Sequence, residues 1–595
     1  MVIRTLITTA DERTWPKDKN EPVLFLGEWC KRFSRRHIWK DMDYKTAVYH
    51  WNDRDKLLSD YKYIQNFYKE FLIDLSRELN KKHKVSHSVR YWKVLVGPWL
   101  GYFIQILFDR WFMLKFVLSE YELSNCYYIE RKLKPVLPND MKDFESLLSE
   151  DYWNEAIYTE LLLEIFSNKI KLTPVNVEKN IKIDSQKSIN RFFNKGKLKK
   201  KIVYSVLGVY NKIFSKQTDY FILSSYLPFL SELKLQIHLK QFPKIWHSKR
   251  VCTANPSHPD RKEWGMEFNS DIAHEGLFGS IITRMILRHI PISYFEGYKV
   301  LVKDTREVDW PANPQAIFTS NSYSSDDFFK CWAAEKIEKD SDLIIGQHGG
   351  NFGMSLFSFH EEHQIDISDK WLSWGWEDDL QAKIVSLGNI KMIGKGVKNN
   401  SNGGVLLVGM ALPRYSYHLY NCPIAGQWLN YFNDQILFVK TLPKKIQNSL
   451  TVRLHAEDYG WDQKERWNHE YPNIEVDNGV SSMNSLIRDN RLYISTYNAT
   501  TYLESLSLNI PTIIFWNCSH WELRAEAIPY FDLLEAVGIF HKTPEGAAQK
   551  VTEIWDDVEL WWKSDSVQKA KSIFSEKYTR KIHNATKEIQ DIFIK

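Results

Sequence analysis

Hydrophobic and polar positions along this chain follow two periods. Over residues 55–81 and 153–168 the apolar side chains recur every three or four positions, the spacing that gathers them on one face of a helix. Residues 4–9 and 22–26, rich in β-branched and apolar side chains, predict two strands with a turn between them, and residues from about 55 to 170 read as helical. Residues 170–201 are polar and end in Lys195-Gly-Lys-Leu-Lys-Lys-Lys201, which predicts a surface loop or the edge of a helical insertion. From about residue 203 the pattern changes. Residues 220–223 predict a strand followed by a helix to about 239, and 315–319, 325–339 and 342–346 predict strand, helix and strand, the β-α-β unit of parallel sheets. Residues 395–404 are polar and rich in Gly and Asn, the composition of a linker. The alternation then restarts, with strands at 405–408, 450–454, 491–495 and 511–515 and helices between them, and the tail from 567 to 595 reads as one amphipathic helix.

This order predicts an α/β protein with two Rossmann-like domains facing a cleft, and a helical insertion over about 55–200 in the N-terminal half. The boundaries it suggests are an N-terminal, acceptor-side domain over 1–395, a C-terminal nucleotide-sugar-binding domain over 396–575, and a terminal helix over 576–595 that turns back toward the first domain. Open α/β sheets bind ligands beyond the carboxyl ends of their strands, so chemistry is to be sought in the loops that follow the strands.

At 595 residues the chain is long enough for more than one domain. Its 79 Lys and Arg against 74 Asp and Glu leave a net charge of +5, too weak to imply a nucleic-acid partner. The six cysteines are scattered, with no C-x-x-C pair or zinc spacing, which suits a reducing compartment and argues against a disulfide scaffold. The first residues lack the apolar core and small-residue cleavage site of a signal peptide. The most apolar stretch, 94–108, holds Gly97 and Pro98 and is shorter than the roughly 20 residues that a membrane span needs, so a core or interfacial helix is expected and the protein is placed in the cytoplasm. Aromatic residues form 14% of the chain; most must be core, and some could offer flat faces to sugar rings.

Four segments carry the types of residue that chemistry requires. Gln347-His-Gly-Gly350 follows a strand directly; its glycines let backbone N–H groups approach a ligand, and His348 can shuttle a proton or donate to a phosphate, against the alternative of a tight turn with a satisfied histidine. Arg453 and His455 alternate at a strand end and suit a phosphate, or else an ordinary cross-strand ion pair. Asn498, Thr500 and Thr501 stand where a strand turns into a helix, an anion site in which Glu504 would take ribose hydroxyls; the same residues would also make a capping box with Thr501 as cap. Glu267 and Asp271 supply carboxylates that could act as base or nucleophile toward a sugar, in a stretch that also reads as a helix start capped by Asn269 or Ser270. Weaker candidates are Glu28, the run His50-Trp-Asn-Asp53 and Gly97-Pro-Trp99. Two D-x-D triplets, at 41–43 and 53–55, do not clearly follow strands, and His360-Glu-Glu-His363 lacks the spacing of a zinc-protease helix and reads as a solvated helix face. No metal site and no phosphate-loop motif emerge.

The order of these motifs resembles bacterial surface-carbohydrate transferases of the GT-B fold. More distantly it is similar to CDP-glycerol polyol-phosphate transferases and capsule Kdo transferases, which carry Pro where this chain has Ala456. A closer resemblance spans nearly the whole chain. Phe25-Leu-Gly-Glu-Trp-Cys30, His50-Trp-Asn-Asp53, Gly97-Pro-Trp-Leu100, Asp109-Arg-Trp111, Gln347-His-Gly-Gly350, Trp374-Gly-Trp376 and Tyr459-Gly-Trp461 look like a family of transferases from O-antigen and capsule loci that includes retaining pseudaminic acid transferases.

The resemblance implies a donor that is a CMP-activated nonulosonic acid, and a glycan acceptor that could be lipid-linked at the inner membrane. His348, with Gln347, Gly349 and Gly350, would face the donor phosphate. Arg453, His455, Asn498, Thr500, Thr501 and Glu504 would hold CMP, with no metal and no cofactor, while Lys195–Lys201 would face an anionic membrane. Retention requires either a carboxylate nucleophile, for which Asp271 and Glu267 are the candidates, or same-face attack. The competing readings are a Kdo transferase, a CDP-polyol phosphotransferase and a non-catalytic glycan-binding protein.

Overall fold

The computed structural model describes residues 2–131, 136–176, 210–211, 213–257, 261, 264 and 276–594. Three parallel sheets organise them. The first runs β3-β2-β1-β4-β5 and comprises β1 (Arg4–Ile7), β2 (Val23–Phe25), β3 (Tyr44–Thr46), β4 (Leu123–Ile129) and β5 (Lys171–Val175). The second runs β10-β9-β8-β7-β6 and comprises β6 (Phe221–Ile222), β7 (Ala316–Thr319), β8 (Asp342–Gly346), β9 (Lys370–Ser373) and β10 (Ile384–Ser386). The third runs β13-β12-β11-β14-β15-β16 and comprises β11 (Gly404–Val408), β12 (Leu450–Arg453), β13 (Glu475–Asp477), β14 (Asn490–Ser495), β15 (Thr512–Phe515) and β16 (Phe540–His541). The first and third sheets share the doubly wound order of dinucleotide-binding folds.

The first sheet revises the reading of 55–200 as a helical insertion. The helices Arg54–His83 and Val89–Glu120 are the crossover that carries the chain from β3 to β4 within this sheet. Short strands with mixed burial, such as β5 with no fully buried residue, hide the sheet from a periodicity argument. The apolar stretch 94–108 is buried throughout, in a helix that packs against the helices Arg54–His83, Asp327–Ile337 and Phe359–Ile367. Gly101 makes that packing fit: a Cβ there would meet the Phe359 ring at 1.9 Å, so only a residue without one lets the helix Phe359–Ile367 lie so close. No helix among the described residues is long and apolar enough to cross a membrane.

One hydrophobic core runs from Leu6 to Tyr578 through all three sheets. Polar side chains fasten them further. Arg414, after β11, donates to Asp151 at 2.8 and 2.9 Å and to the carbonyl of Trp29. Arg54 pairs with Glu522 at 2.7 Å, and Gln105 Oε1 accepts from the Leu419 N–H at 2.5 Å. The weak candidates near the N-terminus serve this framework: His50 lies 3.0 Å from buried Asp109, Asp53 caps the helix Arg54–His83, and Glu28 pairs with Lys31 at 2.9 Å.

The tail is two helices, Asp565–Tyr578 and Ala585–Ile594, and not the single helix that its periodicity predicts. Between them the chain leaves the helix to bond the second sheet, with Arg580 N–H on the Trp374 carbonyl and Asn389 N–H on the Arg580 carbonyl, each at 2.8 Å. The last helix then packs beside the helix Phe229–His238, where Gln590 donates to the His238 carbonyl at 3.0 Å.

Candidate active site

β8 is buried on both faces, so the chain can become polar only past its carboxyl end, at Gln347. Gln347 itself turns inward. Its side-chain oxygen accepts from Trp374 N–H at 2.9 Å and Trp376 Nε1–H at 3.1 Å, and its carbonyl accepts from Trp374 Nε1–H at 2.8 Å. Its part is therefore to hold two loops together. Gly349 and Gly350 follow with φ of +154° and +84°. The Gly350 N–H donates to Thr500 Oγ1 at 2.8 Å, and a Cβ on Gly349 would lie 2.4 Å from that oxygen. The loop after β8 thus closes against the third sheet at the start of the helix Thr500–Ser507.

That helix begins beyond the carboxyl end of β14. Its N-cap is Ala499 and no side chain caps it, so the predicted capping box is absent. Thr501 Oγ1 donates to Tyr497 OH at 2.9 Å, Asn498 Oδ1 accepts from Tyr502 OH at 2.9 Å, and Glu504 pairs across the cleft with Lys391 at 2.9 Å. The backbone N–H groups of the first turn face the glycine loop without a side-chain acceptor, the arrangement that binds an anion. Arg453 and His455 lie at the end of β12, and the charge of Arg453 acts on Tyr497, whose hydroxyl accepts from Thr501. Arg453 is paired with Asp477, its register partner on β13, and His455 is exposed in a turn where its Nδ1 accepts from Glu457 N–H at 3.1 Å. Burial alone would raise the Asp477 carboxyl; hydrogen bonds from Ser481 and Arg453 outweigh it and hold it at about 2.

Around His348 lie further aromatic and titratable side chains. His360 is 5.9 Å from His348 and His418 5.9 Å from His360, ring centre to ring centre. Tyr323 OH is 3.2 Å from His360 Nε2, Tyr226 stacks toward His348 at 6.3 Å, and Tyr102 stacks on His418 at 5.2 Å. Nδ1 of His348 and of His418 is buried with no partner among the described residues. Burial pushes His348 down to about 3, helped by His360 and Lys391, and takes His360 down to about 4. These rings are therefore neutral near pH 7 and act as hydrogen-bonding groups, not as cations. The helix Phe359–Ile367 that carries His360 is a buried wall of the site, with Glu361 accepting from Gly353 N–H at 2.8 Å, so it is not the solvated face that its charges suggested.

Sequence reasoning missed Glu145. It sits on the short helix Met141–Leu147, hydrogen-bonded to Ser325, and its charge acts on Tyr102, Tyr323, Tyr417 and Tyr459. Burial raises its carboxyl to about 7, against the opposing pull of Lys330. Nothing in its local sequence marks it, because its neighbours come from four distant segments. His418 was overlooked for the same reason. Asp271 and Glu267 lie outside the described residues, as does the run Lys195–Lys201.

Two parallel sheets meeting at their strand ends, with a glycine loop on one side and an uncapped helix N-terminus on the other, define an α/β protein of the GT-B kind with a candidate site between the sheets. A protein-family model agrees over nearly the full length. The chain belongs to the LIC12162 family of transferases, whose model matches residues 4–593. No curated protein matches it significantly. Among solved structures it is similar to an α,α-trehalose-phosphate synthase (UDP-forming) from Burkholderia vietnamiensis, at 10% identity and a TM-score of 0.28, over 52% of this chain and 78% of that one. It is also similar to WaaG, a glycosyltransferase involved in lipopolysaccharide biosynthesis, at 10% identity and a TM-score of 0.25, over 50% of this chain and 95% of that one.

Proposed function

We propose that this transferase is a glycosyltransferase that moves a nonulosonic acid of the pseudaminic type from its CMP-activated form to a surface-polysaccharide acceptor, with retention and without metal. The observation that carries the reading is the anion cradle where the uncapped Thr500 helix meets Gly349, Gly350 and Lys391. A CMP-sugar leaves with one phosphate. One helix N-terminus and one cation match that charge, and departure of CMP is favoured by donors already aimed at the growing negative charge. In this scheme the donor phosphate displaces Glu504 from Lys391. His348 is neutral and donates a hydrogen bond to the leaving phosphate. Glu145, held near neutrality in its ionisation, takes the proton of the attacking hydroxyl. Asp271 and Glu267 remain the candidates for a nucleophile, and same-face attack is the alternative that needs none. The acceptor glycan is lipid-linked, and the protein works in the cytoplasm at the inner membrane.

The test is calorimetric titration of the purified protein with CMP, CDP, UDP and GDP without added metal. Selective binding of CMP is expected. Preference for CDP would replace this reading with a polyol-phosphate transferase, and absence of binding to all four would favour a glycan-binding protein.

A further inference from the structure

Large apolar side chains left in solvent are concentrated in one part of this protein. Ile213, Phe214, Phe229, Leu230, Ile237 and Phe242 all fall within 30 residues of chain and are 38–68% exposed. Pairs of them adjoin in space as well. The rings of Phe214 and Phe242 are 5.1 Å apart, and Leu230 and Ile237 stand two turns apart on the same side of the helix Phe229–His238. The opposite side of that helix, with Leu235 and Gln236, is buried against the second sheet. The helix is thus amphipathic twice over: one apolar side makes core, and a second apolar side has no partner among the described residues.

The exposed charges that this stretch itself contributes have one sign. Lys216, Lys234 and Lys240 are exposed, and none pairs with a carboxylate among the described residues. The two carboxylates of this stretch are both engaged, Asp219 with buried Lys244 at 2.5 Å and Glu232 with the Ser225 hydroxyl at 2.5 Å. The patch also reaches the cleft. Tyr226, 43% exposed at φ +61°, stacks toward His348 and has Lys391 5.7 Å over its ring. An exposed apolar face is an interaction site in a soluble protein, and one ringed by unpaired lysines fits a surface that is apolar below and anionic above.

We propose that the outer face of the helix Phe229–His238, with Phe214 and Phe242, is where this protein lies on a bilayer containing anionic lipid, which brings the mouth of the cleft at Tyr226 to the level of the headgroups. The proposal deepens the membrane-side acceptor reading by naming the surface that makes the contact, and it would account for a lipid-linked acceptor reaching His348 without leaving the membrane.

The experiment is co-sedimentation of the full-length protein with vesicles of phosphatidylcholine alone and of phosphatidylcholine with phosphatidylglycerol. Binding to the anionic vesicles, weakening with salt, is expected. Phe229→Ser/Leu230→Ser should lower it at least tenfold, and Lys234→Glu and Lys240→Glu about fivefold each or more, since one lysine near an anionic surface contributes about 1 kcal/mol. Leu560→Ser, at a position 71% exposed on the third-sheet side, should leave it unchanged. Unaltered nucleotide binding and melting temperature in the same variants separate this result from loss of fold or of the proposed activity. Failure of the unaltered protein to bind anionic vesicles, or equal binding by the Phe229/Leu230 variant, overturns the proposal. So does sedimentation velocity showing a dimer that this variant dissolves, because the face would then be covered by a second copy. Vesicle binding through this face by a protein that uses no CMP-sugar would leave the surface standing and refute the donor instead.

Discussion

Gly349→Ala tests the geometry of the cleft most directly. The substitution adds one carbon, and the structure shows what it meets: Thr500 Oγ1 at 2.4 Å and Thr500 Cγ2 at 3.4 Å. Ordinary contact requires about 1 Å more at the oxygen, so the hydroxyl must rotate away from the Gly350 N–H that it accepts at 2.8 Å. The net loss of such a bond is about 0.5–1.5 kcal/mol. The backbone at φ +154° adds strain of about 1–3 kcal/mol for any residue with a Cβ. Together these amount to roughly 2–4 kcal/mol, which the loop can relieve only by leaving the helix. The loss should appear in ligand affinity as roughly 30- to 700-fold. The assay is calorimetry with whichever of the four nucleotides the unaltered protein binds most tightly, alongside thermal melting. Thr500→Ala removes the clashing oxygen, so the double variant should lose less than the sum of the single losses, by about 1 kcal/mol or more. Strict additivity, or an affinity in Gly349→Ala equal to that of the unaltered protein, would falsify the claim that the glycine loop and the Thr500 helix form one site.

Three other predictions follow from the same structure. Glu145→Gln should abolish the rise of turnover with pH centred near 7. Burial raises its carboxyl from the ordinary 4.5 to about 7 in the fold, so the stability that it contributes is complete below about 4.5 and lost as pH rises through about 7. The Gln variant should therefore melt higher than the unaltered protein at pH 8 and not at pH 4, and identical pH profiles would remove Glu145 from the reaction. His348→Ala should cut turnover by about 10²–10⁴ while the melting temperature holds, and Asp271→Asn should also cut it strongly; near-normal rates would exclude the residue concerned. Arg414→Met leaves Asp151 at the junction of the first and third sheets with the Tyr415 hydroxyl but no cation, and should destabilise the protein by about 3 kcal/mol in denaturant titration, whereas a change below about 0.5 kcal/mol would show that the pair does not couple the sheets.

The sequence by itself determined the α/β class, the strands that begin and end near residues 342–346, 405–408 and 491–495, and the two loops, at His348 and at Thr500, that face each other in the cleft. These were legible because buried parallel strands are unbroken apolar runs, and the change to Gly, His or Thr at their ends is local information. The strands of the first sheet were only partly legible, because β3 and β5 are short and half-exposed and the long helices between β3 and β4 dominate the pattern. The fate of individual polar residues was not legible at all. Gln347 and Arg453 have the chemistry of ligands, yet Trp374, Trp376 and Asp477 engage them first. His360, His418 and Glu145 looked ordinary in sequence and became candidates for the site only when the post-β8 loop, the Val89–Glu120 helix, the 410–427 loop and the Met141–Leu147 helix met around them. A residue's period along the chain is set by its neighbours in sequence, whereas its desolvation and its partners are set by segments hundreds of residues away. Only the assembled tertiary structure decides those.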